Sequence, residues 1–165
     1  MGAVWNLIHD LFEAADGSLP DIRITELTPE GVAKVYDYLR AHSRLACTNP
    51  HFWDKTSKQE AHVDSVPNAA QRVIEGLAEP FHIAVGGLKF LNTKIPDLGI
   101  FVFQKEIALD YRTGKEWAEP QLLALFELLR HICSIDPHAR IKYDEGSVPD
   151  FKQRFQRAWS MFQRS

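Results

Sequence analysis

The pattern of apolar and polar positions between residues 98 and 112 predicts two consecutive β-strands joined by a tight polar turn at residues 104–106. Residues 100–103, Ile-Phe-Val-Phe, are apolar on both sides of the first strand, whereas residues 107–112 alternate between apolar and polar positions. A strand with two apolar sides must be covered on both of them. The first strand is therefore expected in the middle of a sheet, and the hairpin at the centre of the fold.

The rest of the chain switches between helical and strand-like periodicity. Apolar residues recur at helical spacing in the segments 3–15, 28–43, 67–78, 119–135 and 147–162. Strands are predicted at 21–27, 81–85 and 139–143, the last one at a sheet edge, with less regular candidates at 44–48, 58–66 and 88–91. Because several strands follow one another directly, the sheet is expected to be mostly antiparallel. The prediction is a single α+β domain over residues 1–165, with about five to six strands and helices packed on both faces of the sheet.

Composition and charge narrow the class of protein. The 165 residues are 45% hydrophobic and 25% charged, which is ordinary for a globular chain with one self-sufficient core. The net charge of -3 argues against general nucleic-acid binding, which usually needs a basic surface. Two cysteines do not make a disulfide framework, and neither a secretory signal nor a membrane-length apolar run is recognised. A cytoplasmic protein without membrane association is expected.

The sequence carries no strong catalytic or metal-binding motif. His131 and Cys133 lie about 200° apart around a helix, and no pair of residues has the HExxH or CxxC spacing of a metal site. Cys47 and Ser65 lack the strand–turn–helix elbow of a nucleophile. The expectation is therefore a non-enzymatic protein with no catalytic residue, no metal and no cofactor.

A group of polar and aromatic residues surrounds the open end of the predicted hairpin. A turn at residues 104–106 brings residues 110–112 back near Asp97, which is then expected beside Arg112 or Asp110. One interpretation is an Asp–Arg pair that closes the hairpin. The other is a protein-binding patch rimmed by aromatic side chains, because Arg and aromatic residues are typical of binding hot spots. The candidate partner-binding residues are Asp97, Asp110, Tyr111, Arg112, Glu116 and Trp117.

In general character this small, acidic α+β chain resembles the cytosolic immunity proteins of bacterial polymorphic-toxin and contact-dependent inhibition systems. The resemblance implies a non-enzymatic module that binds and neutralises a cognate toxin domain, so that a protein partner is expected. It concerns the whole chain as a type and rests on no motif. No residue of this sequence therefore takes a role from it.

Two other functions are compatible with the sequence. The first is a small-ligand-binding protein or enzyme with a pocket near residues 44–66, served by His62, His82 or Asp110. The second is a nucleic-acid-associated protein that uses the basic C-terminal helix. That helix is expected to dock through an aromatic stripe and to leave its basic face in water. The basic face consists of Lys152, Arg154, Arg157 and Arg164, and the stripe of Phe155, Trp159 and Phe162.

Overall fold

A computed structural model describes residues 2–144 and 149–165 of the chain. The strands in these ranges are β1 (Asp21–Thr25), β2 (Arg44–Leu45), β3 (His51–Asp54), β4 (Gln59–His62), β5 (Phe81–Gly86), β6 (Lys89–Phe90), β7 (Thr93–Lys94), β8 (Leu98–Val102), β9 (Ile107–Tyr111) and β10 (Arg140–Asp144). The α-helices are α1 (Gly2–Ile8), α2 (Asp10–Glu13), α3 (Pro29–Ala41), α4 (Ala69–Ile74), α5 (Glu119–Ile135) and α6 (Pro149–Gln163). A short 3-10 helix covers Val63–Ser65.

Six strands form one antiparallel sheet in the order β10-β1-β9-β8-β5-β2. The predicted hairpin is β8 with β9, in a register that places Leu98 opposite Tyr111 and Val102 opposite Ile107. Because β8 lies between β9 and β5, the prediction of a central strand is confirmed, as is the prediction that residues 139–143 form an edge strand. The α+β class and the antiparallel six-stranded sheet therefore agree with the sequence analysis.

One face of the sheet carries the hydrophobic core. Its inward residues include Ile24 of β1, Ile100 of β8 and Leu109 of β9, all of which are fully buried. Helices α3, α5 and α6 supply the opposite side of this core, and α5 is buried around most of its circumference because it is apolar there. Phe126 of α5 lies 5.3–5.5 Å, between ring centroids, from three aromatic rings of α6. The aromatic stripe of the C-terminal helix thus docks into the core as predicted.

The other face of the sheet has no helix packed on it among the described residues, which corrects the expectation of helices on both faces. Phe101 and Phe103, the residues behind that expectation, stay partly exposed and lie outside the hydrophobic core. Their rings stack on each other, with centroids 4.5 Å apart and planes 9° apart. Since the two rings bury part of each other's surface, this apolar patch is partly shielded from water without a helix.

Several helix ends differ from the prediction, while the predicted start of α3 is confirmed. The segment 3–15 forms two short helices that meet at His9, and α4 begins at Ala69, two residues after the predicted start. Thr28 caps α3 as predicted, because its hydroxyl accepts a hydrogen bond from the Gly31 amide at 2.9 Å. The predicted start of the last helix at residues 147–148 lies outside the described residues. No helix in the described ranges is both long and apolar enough to cross a lipid bilayer.

Candidate functional site

The open face of the sheet, the one without helices, is formed by the outward side chains of five neighbouring strands. Two rows of residues, each running across the strands in register, make up its centre. The first row is His82, Phe101, Ala108, Arg23 and Lys142, and the second is Ala84, Gly99, Asp110, Asp21 and Asp144. The three carboxylates of the second row, called the acidic row here, therefore sit on adjacent strands beside an aromatic and basic row.

His82 reaches across a whole strand to pair with Asp110. Its Nε2 lies 2.6 Å from Oδ2 of Asp110, although β8 separates β5 from β9. Gly99 of β8 lies below this contact, and a Cβ at that position would overlap both the carboxylate and the imidazole. The hydrogen bond to Asp110 raises the pKa of His82, and burial opposes this rise. The absence of a side chain at Gly99 is what allows this three-strand contact.

The acidic row concentrates negative charge at the centre of the open face. Burial raises the pKa of Asp21, and the neighbouring carboxylates of Asp110 and Asp144 raise it further. The cations nearest to Asp144 are Arg23 and Lys152, at 3.9 Å and 4.0 Å, which is too long for a hydrogen bond. In residues 2–144 and 149–165 no ion pair within 4.0 Å reaches Asp21. Asp110 is thus paired with His82, whereas Asp21 and Asp144 lack a close cationic partner among the described residues.

A cavity of about 390 Å³, called the face cavity here, lies beside the acidic row. Its apolar lining is Phe101, Phe103 and Ala108, and its charged lining is Asp21, Arg23, Glu106 and Asp144. Arg23 is fixed by Glu106 in a bidentate pair, with Nε–Oε2 and Nη2–Oε1 distances of 2.7 Å and 2.8 Å. The guanidinium in the cavity lining is thus already paired with Glu106. The carboxylates of Asp21 and Asp144 face the same cavity.

Three of the predicted candidate residues meet at one end of the open face. Asp97, Arg112 and Glu116 line a second cavity of about 570 Å³. The hairpin register begins with Leu98 opposite Tyr111, so Asp97 and Arg112 flank the same end of the hairpin, and no ion pair joins the two in the part of the chain that the structure describes. All three side chains are exposed. Asp110 lies apart from this group, in the acidic row with His82.

Tyr111 and Trp117 lie in the core, which corrects their expected place at the rim of a binding patch. They are only 1% and 2% exposed. The Tyr111 ring stacks on Phe12 at a centroid distance of 4.5 Å, and its hydroxyl donates to the Leu11 carbonyl at 2.8 Å. The indole of Trp117 packs edge-on against both rings and donates to the Arg112 carbonyl at 2.9 Å. Their contribution is to stability, because no partner can reach them without unfolding this region.

The residues expected to serve a pocket near 44–66 are divided between two places. His82 and Asp110 come together on the open face, where His82 lies on β5, the strand that pairs with β2 of that segment. His62 lies at the end of β4, where it caps the 3-10 helix by accepting a hydrogen bond from the Asp64 amide at 3.0 Å. The segment itself forms β2 and the β3–β4 hairpin. The structure therefore separates His62 from the other two candidates.

Part of the basic face of α6 forms ion pairs within the protein. Arg154 donates to the Asp10 carboxylate at 2.8 Å and 3.0 Å and to Asp150 at 3.0 Å. These contacts tie α6 to α2 and raise the pKa of Arg154. Arg157 and Arg164 are exposed. A nucleic acid would thus meet fewer available cations on this helix than its sequence indicates.

The open face presents charged and apolar side chains side by side. His82 is hydrogen-bonded to Asp110, but no hydroxyl or thiol hydrogen-bonds to His82 among the described residues. Burial raises the pKa of the Cys133 thiol, which favours its unreactive protonated form. In the described ranges no three His, Cys, Asp or Glu side chains are grouped so that they can hold a metal ion. No activated nucleophile is present among the described side chains of this face.

Sequence reasoning missed Asp21, Arg23 and His82 as neighbours of Asp110. The available signal was that Asp21 and Arg23 occupy the polar positions of a strand with one wet face, as Asp110 does in the hairpin. The sequence did not show that these strands are neighbours. Comparisons of the chain with protein-family models, curated protein sequences and solved structures find no match. The function of the protein must therefore be inferred from the chemistry of its own open face.

Proposed function

We propose that this protein is a non-enzymatic binding module of the immunity type, which neutralises a toxin domain by docking the open face of its sheet against it. The observation that carries the proposal is the stacked pair Phe101–Phe103, which is partly exposed on a charged sheet face. Apolar and aromatic groups at the centre of a patch, with charged groups around them, are typical of protein–protein interfaces.

The charge of this face indicates the kind of partner surface that it fits. Beside the two phenylalanines lie the acidic row and Glu106. Of the cations in the neighbouring row, Arg23 is paired with Glu106 and His82 with Asp110, which leaves Lys142. The chain as a whole is acidic, and residues 148–165 carry a net charge of +3, so the remainder of the chain carries -6. Opposite charges across an interface speed association and select the partner. The partner domain is accordingly one with a basic surface around an apolar contact point.

The test uses the product of the gene adjacent to that of this protein, which is where the partner of an immunity protein is expected. We expect the two purified proteins to associate with a Kd on the order of 1 nM and co-expression to abolish the toxicity of that product in cells. Phe101→Ala and Phe103→Ala should each weaken association about 30-fold or more, because truncation of a central interface aromatic removes a hot spot.

Trp53→Ala is the matched control for these variants. Trp53 is 45% exposed on the β3–β4 hairpin, outside the open face, so its loss should leave association unchanged. Circular dichroism would verify that every variant is folded. Absence of binding to the adjacent product overturns the proposal, and so does binding that tolerates both phenylalanine changes but not the tryptophan change.

A further inference from the structure

The face cavity has features that identify the part of a partner that would enter it, an inference that rests on the proposed function. It lies on the open face between the stacked pair Phe101–Phe103 and the carboxylates Asp21 and Asp144. Ala108 contributes a small side chain to its lining. The face cavity is therefore aromatic on one side and anionic on another. The short side chain of Ala108 leaves room for an entering group.

The charges that line the face cavity do not cancel. Three carboxylates face one guanidinium, and Glu106 holds that guanidinium through both of its oxygens. Within the described residues, Asp144 has only the long ion-pair contacts to Arg23 and Lys152, and Asp21 has no ion pair. The cavity is therefore complementary to a cation and repels an anion.

The sheet register makes this charge costly for the free protein. Asp110, Asp21 and Asp144 lie directly opposite one another on adjacent strands. Like charges in such cross-strand pairs destabilise a sheet. Burial, followed by the two neighbouring carboxylates, raises the pKa of Asp21, so its charged form is disfavoured in the folded state. A cation placed beside Asp21 relieves this cost, whereas an apolar group would increase it.

We infer that the face cavity receives an arginine side chain of the protein partner, with its guanidinium beside Asp21 and Asp144 and against the phenylalanine pair. Among protein cations, guanidinium matches this lining best. It is planar, stacks on aromatic faces and pairs with carboxylates through two parallel hydrogen bonds. A lysine ammonium supplies the charge without the flat surface. Arginine is also one of the residues that most often dominate protein interfaces.

The test titrates the protein with N-acetyl-arginine amide and follows the backbone amide signals of Asp21 and Ala108 by NMR at low salt. N-acetyl-lysine amide and the neutral isostere N-acetyl-citrulline amide are the matched probes. We expect saturable shifts with the arginine compound at a Kd on the order of 1 mM, weaker shifts with the lysine compound, and none with the citrulline compound.

Asp21→Asn gives the sharper result because it should move two measurements in opposite directions. We expect at least a tenfold loss of affinity for the arginine compound, together with a rise in the melting temperature of the free protein of about 2 °C at pH 7. Asp37→Asn removes an exposed carboxylate of α3 instead and should change neither quantity. A merely structural role for Asp21 would lower the melting temperature.

Equal shifts with the arginine and citrulline compounds, or arginine binding that survives Asp21→Asn, overturn the inference. A different result would contradict the proposed function. If the adjacent gene product binds the wild-type protein and Asp21→Asn equally well, the arginine site is wrong and the binding module stands. If arginine binds the cavity but the adjacent product does not bind the protein, the proposed function falls and the cavity assignment stands.

Discussion

Gly99 is the residue that makes the polar part of the open face possible. Any larger residue would place a Cβ where the His82–Asp110 contact now lies. We expect Gly99→Ala to break that contact, to return the pKa of His82 toward its ordinary value, and to cost about 1–3 kcal/mol of stability through overpacking. An NMR titration of the His82 ring and denaturant unfolding would measure both effects.

Asp110→Asn is the matched control for this prediction, because it removes the acceptor carboxylate without adding volume. It should lower the pKa of His82 as Gly99→Ala does, but with a smaller loss of stability. A His82 titration that is unchanged in Gly99→Ala would contradict the geometry described for this contact.

The same His–Asp pair should make stability depend on pH near neutrality. Asp110 raises the pKa of His82 above its ordinary value of 6.5, and Asp21 adds to this effect. A raised pKa in the folded state means that the contribution of the pair is complete below 6.5 and is lost as the pH rises through the higher folded value. The side chains are 43% and 22% exposed, so water screens the pair and the change should stay below about 1 kcal/mol.

The measurement is the free energy of unfolding from pH 6 to pH 9 for the wild type and for His82→Gln. We expect the advantage of the wild type over the variant to shrink as the pH rises, because the variant has no imidazolium to lose. An advantage that grows with pH would have the wrong sign and would show that the pair does not stabilise the folded state.

At the scale of elements, the sequence pattern predicts correctly those elements that are determined by contacts between residues close together in the chain. The β8–β9 hairpin follows from its apolar run and polar turn, and α5 from its apolar circumference. The position of β1 between β9 and β10 depends on pairing with strands far along the chain, which no local pattern reports. The acidic row exists only because of that order. For this reason Asp110 was recognised as a candidate and its neighbour Asp21 was not.

Two aromatic pairs show the limit of judging exposure from sequence. The residue types of Tyr111 and Trp117 suggest a binding rim, yet both side chains are buried against Phe12 of α2. The Tyr111 hydroxyl donates to the Leu11 carbonyl of α2, and the Trp117 indole donates to the Arg112 carbonyl. Phe101 and Phe103 appeared suited to a second buried layer because both sides of β8 are apolar, yet no described helix covers them. Which apolar side of a central strand stays open is decided by where the helices return, and that is a property of the tertiary fold.

For the whole molecule, the core lies on one face of the sheet and the proposed recognition surface on the other. Two adjacent residues of β8 can therefore separate stability from the proposed binding. Ile100 is fully buried in the core, whereas Phe101 is partly exposed beside the face cavity. We expect Ile100→Ala to cost about 3–4 kcal/mol, because it leaves a core cavity. Phe101→Ala should cost about half as much, because the phenyl ring is only partly removed from water.

Partner binding should respond in the reverse order, since of these two residues only Phe101 is on the proposed docking surface. In a titration with the adjacent gene product at a temperature where both variants are folded, Ile100→Ala should keep its affinity within about threefold, while Phe101→Ala loses about 30-fold. Denaturant unfolding and calorimetric binding measure the two effects on the same samples. If affinity falls in step with stability in both variants, the two faces are not separate in function and the assignment of the open face to recognition is wrong.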